Sequence, residues 1–129
     1  MTTDRLAHHL KRARKRPEKE ILRAICDYLK VQNHFFWRQN NTGVYRTLRN
    51  KKTKEIIKQF WTGNNIMRGV PDVFVMRSNG FGGVLYGIEV KSDTGTQRPE
   101  QKEFQRKFEA NGGVYILARG VNEIIAAGF

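Results

Sequence analysis

The sequence predicts one α/β domain, a mixed β-sheet with helices on its faces, and three observations carry that prediction. The chain has 129 residues, 39% of them hydrophobic, enough for one core without disulfides or structural metal. Apolar residues recur at helical spacing in two stretches, each opened by a proline. Around these lie short runs that either alternate or are apolar throughout, as half-buried and fully buried strands do.

Residues 1–16 read as a basic arm, because the only apolar stripe in RLAHHLKRARKR is Leu6, Leu10 and Ala13. The domain proper is expected over 17–129. Pro17, Glu18 and Glu20 suit a first helical turn, and Ile21, Leu22, Ile25, Cys26 and Leu29 supply a buried stripe through about Val31. Phe35, Phe36 and Trp37 start a strand, and Asn40, Asn41, Thr42 and Gly43 read as a turn or bulge. Val44 to Leu48 and Glu55 to Thr62 form the arms of a hairpin around RNKKTK. A strand is expected over Val70 to Met76, a glycine-rich loop over Ser78 to Gly83, and an alternating strand over Val84 to Lys91. Pro99 opens the second helix, with Phe104 and Phe108 inward and Gly112 or Gly113 at its end. Val114 to Ala118 is an apolar strand, and Val121 to Ala127 a short closing helix.

Charge sets the partner class. Twenty-four Lys and Arg against 12 Asp and Glu leave +12. Residues 1–19 carry +5 and residues 38–68 carry +7, so the remainder of the chain is neutral. Two concentrated basic patches on a neutral body attract a polyanion, because each neutralised phosphate releases condensed counterions. Nucleic acid is the leading partner, with a solvated surface or an anionic membrane face as the bland alternatives. The candidate contacts are Arg46, Arg49, Lys51, Lys52, Lys54, Lys58 and Arg68, with Arg98 ahead of the second helix. The single cysteine, Cys26, excludes an internal disulfide framework and a multi-cysteine zinc site, and suits a reducing compartment. No long apolar stretch follows the basic start, so neither a signal peptide nor a membrane anchor is expected and a cytoplasmic location is.

The chemistry lies in the neutral body. Asp72 interrupts the apolar run GVPDVFVM, and Glu89 and Lys91 share a face of the next strand in YGIEVKSD. Acids and lysines are rarely buried unless paired or bound to metal. Two carboxylates about 4 Å apart on adjacent strands repel by up to ~4 kcal/mol at an effective dielectric near 20, and a divalent cation offsets that. Oxygen ligands without Cys or His favour Mg²⁺ or Mn²⁺ over zinc. The same residues also fit a Glu89–Lys91 pair at a strand end with Asp72 capping a turn after Pro71. His8, His9 and His34 lack the context of a metal finger, Ser78 and Ser92 have no partnered His, and Gly80, Gly82 and Gly83 lack the Lys and helix of a phosphate loop. Trp37, Phe60 and Trp61 fit either base stacking or core contacts.

Pro71-Asp72 followed by Glu89-Val90-Lys91 resembles the PD-(D/E)XK nucleases, and the surroundings are similar to the VRR-NUC branch, in particular its small stand-alone phage and bacterial members. Glu20, Asn40, Asn41 and Gly43, Gly69-Val70-Pro71-Asp72, Gly95, Arg98-Pro99-Glu100-Gln101 and a glycine before Val114 to Arg119 carry the resemblance, over roughly Pro17 to Arg119. Arg98 stands where the family usually has a serine. The resemblance implies a restriction-endonuclease-like fold and a metal-dependent deoxyribonuclease, active in a bacterial or phage-infected cytoplasm. It implies Mg²⁺ or Mn²⁺ held by Asp72, Glu89 and the Val90 carbonyl, with Lys91 orienting or deprotonating the attacking water and stabilising charge on the phosphate. Glu20 would hold a metal-bound water, and Gln101 would orient the Lys91 region or the scissile phosphate. It further implies a homodimer that cuts branched DNA such as four-way junctions. The competing expectations are a catalytically inactive nucleic-acid-binding module and a nuclease acting on RNA.

Overall fold

Pro17 precedes the first helix, and two acids in its first turn complement the helix dipole. The computed structural model describes residues 16–39, 44–62 and 67–129. These form, in order, α1 (Glu18–Val31), β1 (Phe35–Arg38), β2 (Val44–Arg49), β3 (Ile56–Thr62), β4 (Val73–Ser78) and β5 (Gly83–Val90). They continue with α2 (Pro99–Ala110), β6 (Val114–Ala118) and α3 (Val121–Ala126). The expected arm, apart from Arg16, and the expected turn at Asn40–Gly43 lie outside the described residues. Among the described residues no helix is long and apolar enough to cross a membrane.

Four strands make one sheet in the order β1-β4-β5-β6. The β4/β5 hairpin and the β1/β4 pair are antiparallel, while β5 and β6 run parallel, joined through α2. The sheet is therefore mixed, as expected. The β2/β3 hairpin forms a second, two-stranded sheet of its own.

Strand alternation sends successive residues to opposite faces, and the two faces carry different helices. On one face Ile21, Ile25 and Leu29 of α1 and Ile124 of α3 pack with Val73, Val75, Ile88, Val90, Ala118 and Phe129. Each fully buried Ile or Leu there is worth roughly 1.5–3 kcal/mol of burial. On the other face the Phe104 and Phe108 rings of α2 stack at 5.4 Å, Phe108 lies 6.1 Å from Phe74, and Phe74 stacks on Trp37 at 5.6 Å. Helices thus cover both sides of the sheet, and Trp37 belongs to the packing.

Strand β4 begins at Val73, three residues later than the apolar run suggests. Pro71 has no N–H to donate to a ladder. Gly69 adopts φ +74°, and a Cβ there would lie 2.2 Å from the Glu100 carbonyl oxygen. Residues 69–71 therefore form a tight connection against the start of α2, and pairing starts beyond it. At the other end of α2, Gly112 takes φ +91°, the left-handed conformation that stops a helix.

Candidate active site

The β4/β5 register pairs Val73 with Ile88, so Asp72 stands beside Glu89 at the end of the hairpin. Both belong to the sheet face that carries α2, since they alternate with Val73, Ile88 and Val90 of the opposite core. Main-chain bonds hold Asp72 in place from both sides. Its N–H donates to the Ile88 carbonyl at 3.1 Å, and its carbonyl accepts from the Gln39 N–H at 2.8 Å. Its Oδ2 accepts the Val90 N–H at 2.9 Å. Because the N–H and C=O of one strand residue project to the same side, the Val90 carbonyl is directed to the Asp72 side as well. The Lys91 N–H donates to Ala118 at 3.0 Å, so the site lies where the parallel strands β5 and β6 end. Ligands bind at that end in many open α/β sheets.

Glu89 and Lys91 are only 3% and 6% exposed, and they are the buried charged residues among those described. Lys91 Nζ lies 3.5 Å from Glu89 Oε1, and Gln101 Nε2 donates to that same oxygen at 2.9 Å. Glu89 Oε2 is buried with no hydrogen-bond partner. A buried carboxylate oxygen left unsatisfied is costly. Burial, reinforced by the charge of Asp72 and opposed by Lys91, pushes the Glu89 carboxyl up to about 7. Burial also raises Asp72, opposed first by the Val90 N–H bond; the charge of Glu18 raises it further, whereas Lys91 and Arg38 lower it. Repelling, desolvated carboxylates gain most from a cation, and the orphaned Oε2 offers a ready ligand. Among the described residues no group of three or more His, Cys, Asp or Glu side chains gathers to hold a metal. The donor set that fits is accordingly two carboxylates and a main-chain oxygen, with water completing the shell, which suits Mg²⁺ or Mn²⁺.

Gln101 joins this group by a route the sequence leaves open. Its Oε1 accepts the Arg98 N–H at 2.9 Å, capping α2, while its Nε2 holds Glu89. It bonds the carboxylate oxygen that Lys91 Nζ approaches at 3.5 Å. Removing such an outer partner costs about 10–100-fold. If the chain is the metal-dependent nuclease that the resemblance implies, Gln101→Ala is expected to lower kcat by that factor with a smaller change in KM. Gln101→Glu keeps the capping acceptor but loses the donor, so it is expected to be equally impaired in steady-state assays. Wild-type kcat in both variants would remove Gln101 from the site.

The first helix contributes Glu18. Its charge raises both Asp72 and Glu89, and a Cβ on Gly95 would sit 3.3 Å from its Oε1. Glu20 is exposed and stands about 200° around the helix from Glu18. Arg38 ends β1 opposite Val73, one residue from Asp72, whose carboxyl its charge lowers. Its side chain is exposed, and a guanidinium at this place is of the kind that binds phosphate oxygens. Such a bond to a charged group is worth about 1.5–3 kcal/mol. If DNA is the substrate, as the resemblance implies, Arg38→Ala is expected to raise its KM roughly tenfold or more, with Arg38→Lys recovering part of it; an unchanged KM would show that phosphate does not bind there. Arg119 fixes the loop after Lys91, donating from Nη1 to the carbonyls of Ser92 and Gly95. The remaining basic candidates, Arg46, Arg49, Lys51, Lys52, Lys54, Lys58, Arg68 and Arg98, are all exposed. Six lie on β2, β3 and their turn, Arg68 precedes Gly69, and Arg98 caps α2.

No family model matches the chain, and neither the curated proteins nor the solved structures contain a match.

Proposed function

We propose that the protein is a Mg²⁺- or Mn²⁺-dependent DNA endonuclease of the VRR-NUC branch of the PD-(D/E)XK nucleases, built on a restriction-endonuclease-like fold. The observation that carries this reading is the buried, unsatisfied Glu89 Oε2 on a carboxylate that stands beside Asp72 and whose other oxygen, Oε1, lies 3.5 Å from Lys91 Nζ. An ion-paired strand end needs no second carboxylate and leaves no oxygen orphaned. The cation supplies Lewis acidity, lowering the pKa of bound water and drawing charge from the phosphate.

The chain's own groups complete the chemistry. Asp72 and Glu89 present oxygens to the cation, and Gln101 and the Val90 N–H fix their rotamers. The Lys91 ammonium, 3.5 Å from Glu89 Oε1, would orient the attacking water and stabilise charge on the phosphate oxygens. Arg38 holds a phosphate near the reacting one. The exposed basic residues grip the backbone electrostatically. A homodimer would place two such sites about a twofold axis, suiting symmetric branched DNA such as a four-way junction.

The test is incubation of the folded protein with Mg²⁺ or Mn²⁺ and matched single-stranded, duplex, flap and four-way DNA, with the same set in RNA. Metal-dependent cleavage of DNA, strongest on branched forms, is expected. Retained binding without cleavage of any substrate would establish a binding module instead, and preferential RNA cleavage would reassign the substrate.

A further inference from the structure

The β2/β3 ribbon stands apart from the catalytic sheet. Among the described residues its strands pair only with each other, from Val44↔Thr62 to Arg49↔Ile56, and the ribbon packs on no other described element to a comparable extent. An isolated two-stranded hairpin is at best marginally stable in water. Here Leu48, Ile56 and Ile57 are half or more exposed, so apolar surface remains on the ribbon. Something is needed to cover it. Residues 44–62 contain six Lys or Arg and one Glu. That charge selects a polyanion over a second copy of the same ribbon, which would be repelled.

The register sorts the ribbon's side chains. Arg46 pairs with Phe60 and Leu48 with Lys58, so these four share one face, and Lys58 Nζ lies 5.3 Å from the Phe60 ring centroid. The tip is a defined turn. Asn50 Oδ1 accepts the N–H groups of Lys52 and Thr53 at 2.8 and 3.1 Å, and the Asn50 carbonyl accepts Lys54 N–H at 2.9 Å. Arg49 Nη1 adds a bond to the Lys54 carbonyl at 3.0 Å, and Lys54 is held at φ +64°. Lysines 51, 52 and 54 are therefore displayed outward from a preorganised turn.

We infer that this ribbon docks in the major groove of B-form duplex DNA, with the Arg46, Leu48, Lys58 and Phe60 face toward the base edges and the tip lysines on flanking phosphates. The inference rests on the nucleic-acid reading above and names its substrate class. Two strands about 4.8 Å apart, with their side chains, match a groove about 12 Å wide, which admits a two-stranded ribbon. The major groove of A-form RNA is too deep and narrow to admit one. The ribbon therefore selects duplex DNA against duplex RNA at the binding step.

The experiment is fluorescence anisotropy in EDTA with full-length protein and a labelled DNA duplex, the matching RNA duplex, a major-groove dye (methyl green) and a minor-groove ligand (netropsin). The DNA duplex is expected to bind at least tenfold more tightly than the RNA duplex, with methyl green competing and netropsin not. Lys58→Glu is expected to weaken DNA binding at least tenfold, whereas Lys102→Glu, the same charge change on the exposed side of α2, changes it less than twofold. Circular dichroism confirms that both variants are folded. Equal affinity for both duplexes, competition by netropsin alone, or equal loss in the two variants would overturn the ribbon assignment while leaving the nuclease reading intact. Failure to bind any nucleic acid would overturn both. A DNA-free dimer dispersed by Leu48→Glu would make the ribbon a self-association surface and likewise overturn it.

Discussion

Asp72→Asn and Glu89→Gln are each expected to lower metal-dependent cleavage by at least 10³-fold while leaving DNA affinity in EDTA within about threefold of wild type. Both substitutions conserve shape and remove one anionic ligand. Cation stabilisation of transition-state charge is worth several kcal/mol, and each 1.36 kcal/mol is a factor of ten in rate. Binding survives because the carboxylates repel the DNA backbone and the basic residues that attract it lie elsewhere. Single-turnover cleavage of a labelled substrate, alongside anisotropy, separates the two effects. Cleavage within tenfold of wild type in both variants would dismiss the carboxylate pair as the catalytic centre. A parallel loss of binding and cleavage would assign these residues to structure.

The second large effect concerns stability, and its sign is opposite to that of an ordinary carboxylate. Glu89 titrates near 7 in the folded chain against 4.5 in the reference state, so between these values the folded protein holds its proton more tightly. Stability then falls as pH rises from about 4.5 to 7 and is level above. A gap of that size corresponds to roughly 3 kcal/mol, which for a domain of this length is on the order of 10 °C in Tm. The raised Asp72 acts in the same direction. Metal-free protein is therefore expected to melt higher at pH 5 than at pH 8. Added Mg²⁺ should recover the difference at pH 8 and do little at pH 5, because a protonated carboxyl is a poor ligand and a ligand stabilises only the state it binds. Glu89→Gln should flatten the pH profile and abolish the Mg²⁺ effect. Differential scanning calorimetry over this range decides it; a Tm that rises with pH in EDTA would contradict the burial of an unsatisfied carboxylate.

The helices were legible because their signals are local. The Ile21–Ile25–Leu29 stripe, the prolines at positions 17 and 99 and the left-handed Gly112 mark α1 and α2 with little reference to the remainder of the chain. Strand β5 was equally clear, since its alternation survives in a half-buried sheet. The edges of β4 were not, because an apolar run cannot show that Pro71 lacks a donor partner or that Gly69 abuts Glu100. Nor could the chain reveal that β2 and β3 leave the main sheet, since pairing partners are a property of the assembled fold.

The same distinction governs the site. Asp72, Glu89 and Lys91 stand out as charges in apolar strands, and the register brings them together. Helix phase separates Glu18 from Glu20: Glu18 lies three and four residues before Ile21 and Leu22, on the flank of the buried stripe, whereas Glu20 turns away. That spacing was a usable signal. Arg38 carried none, because its place beside Asp72 depends on β1 pairing with β4. The two roles of Gln101 also require the structure, since a helix-capping amide looks the same whether or not its donor reaches a carboxylate.

The separation of ribbon from sheet divides the molecule into two cooperative units of unequal tenacity. Glu89 is flanked along its strand by Ile88 and Val90, both locked in the principal core, so the carboxylate can be released only by opening the whole domain. The ribbon, a two-stranded sheet of its own, is expected to open at a smaller free energy. On warming, the ribbon is thus expected to open before the sheet that holds Glu89.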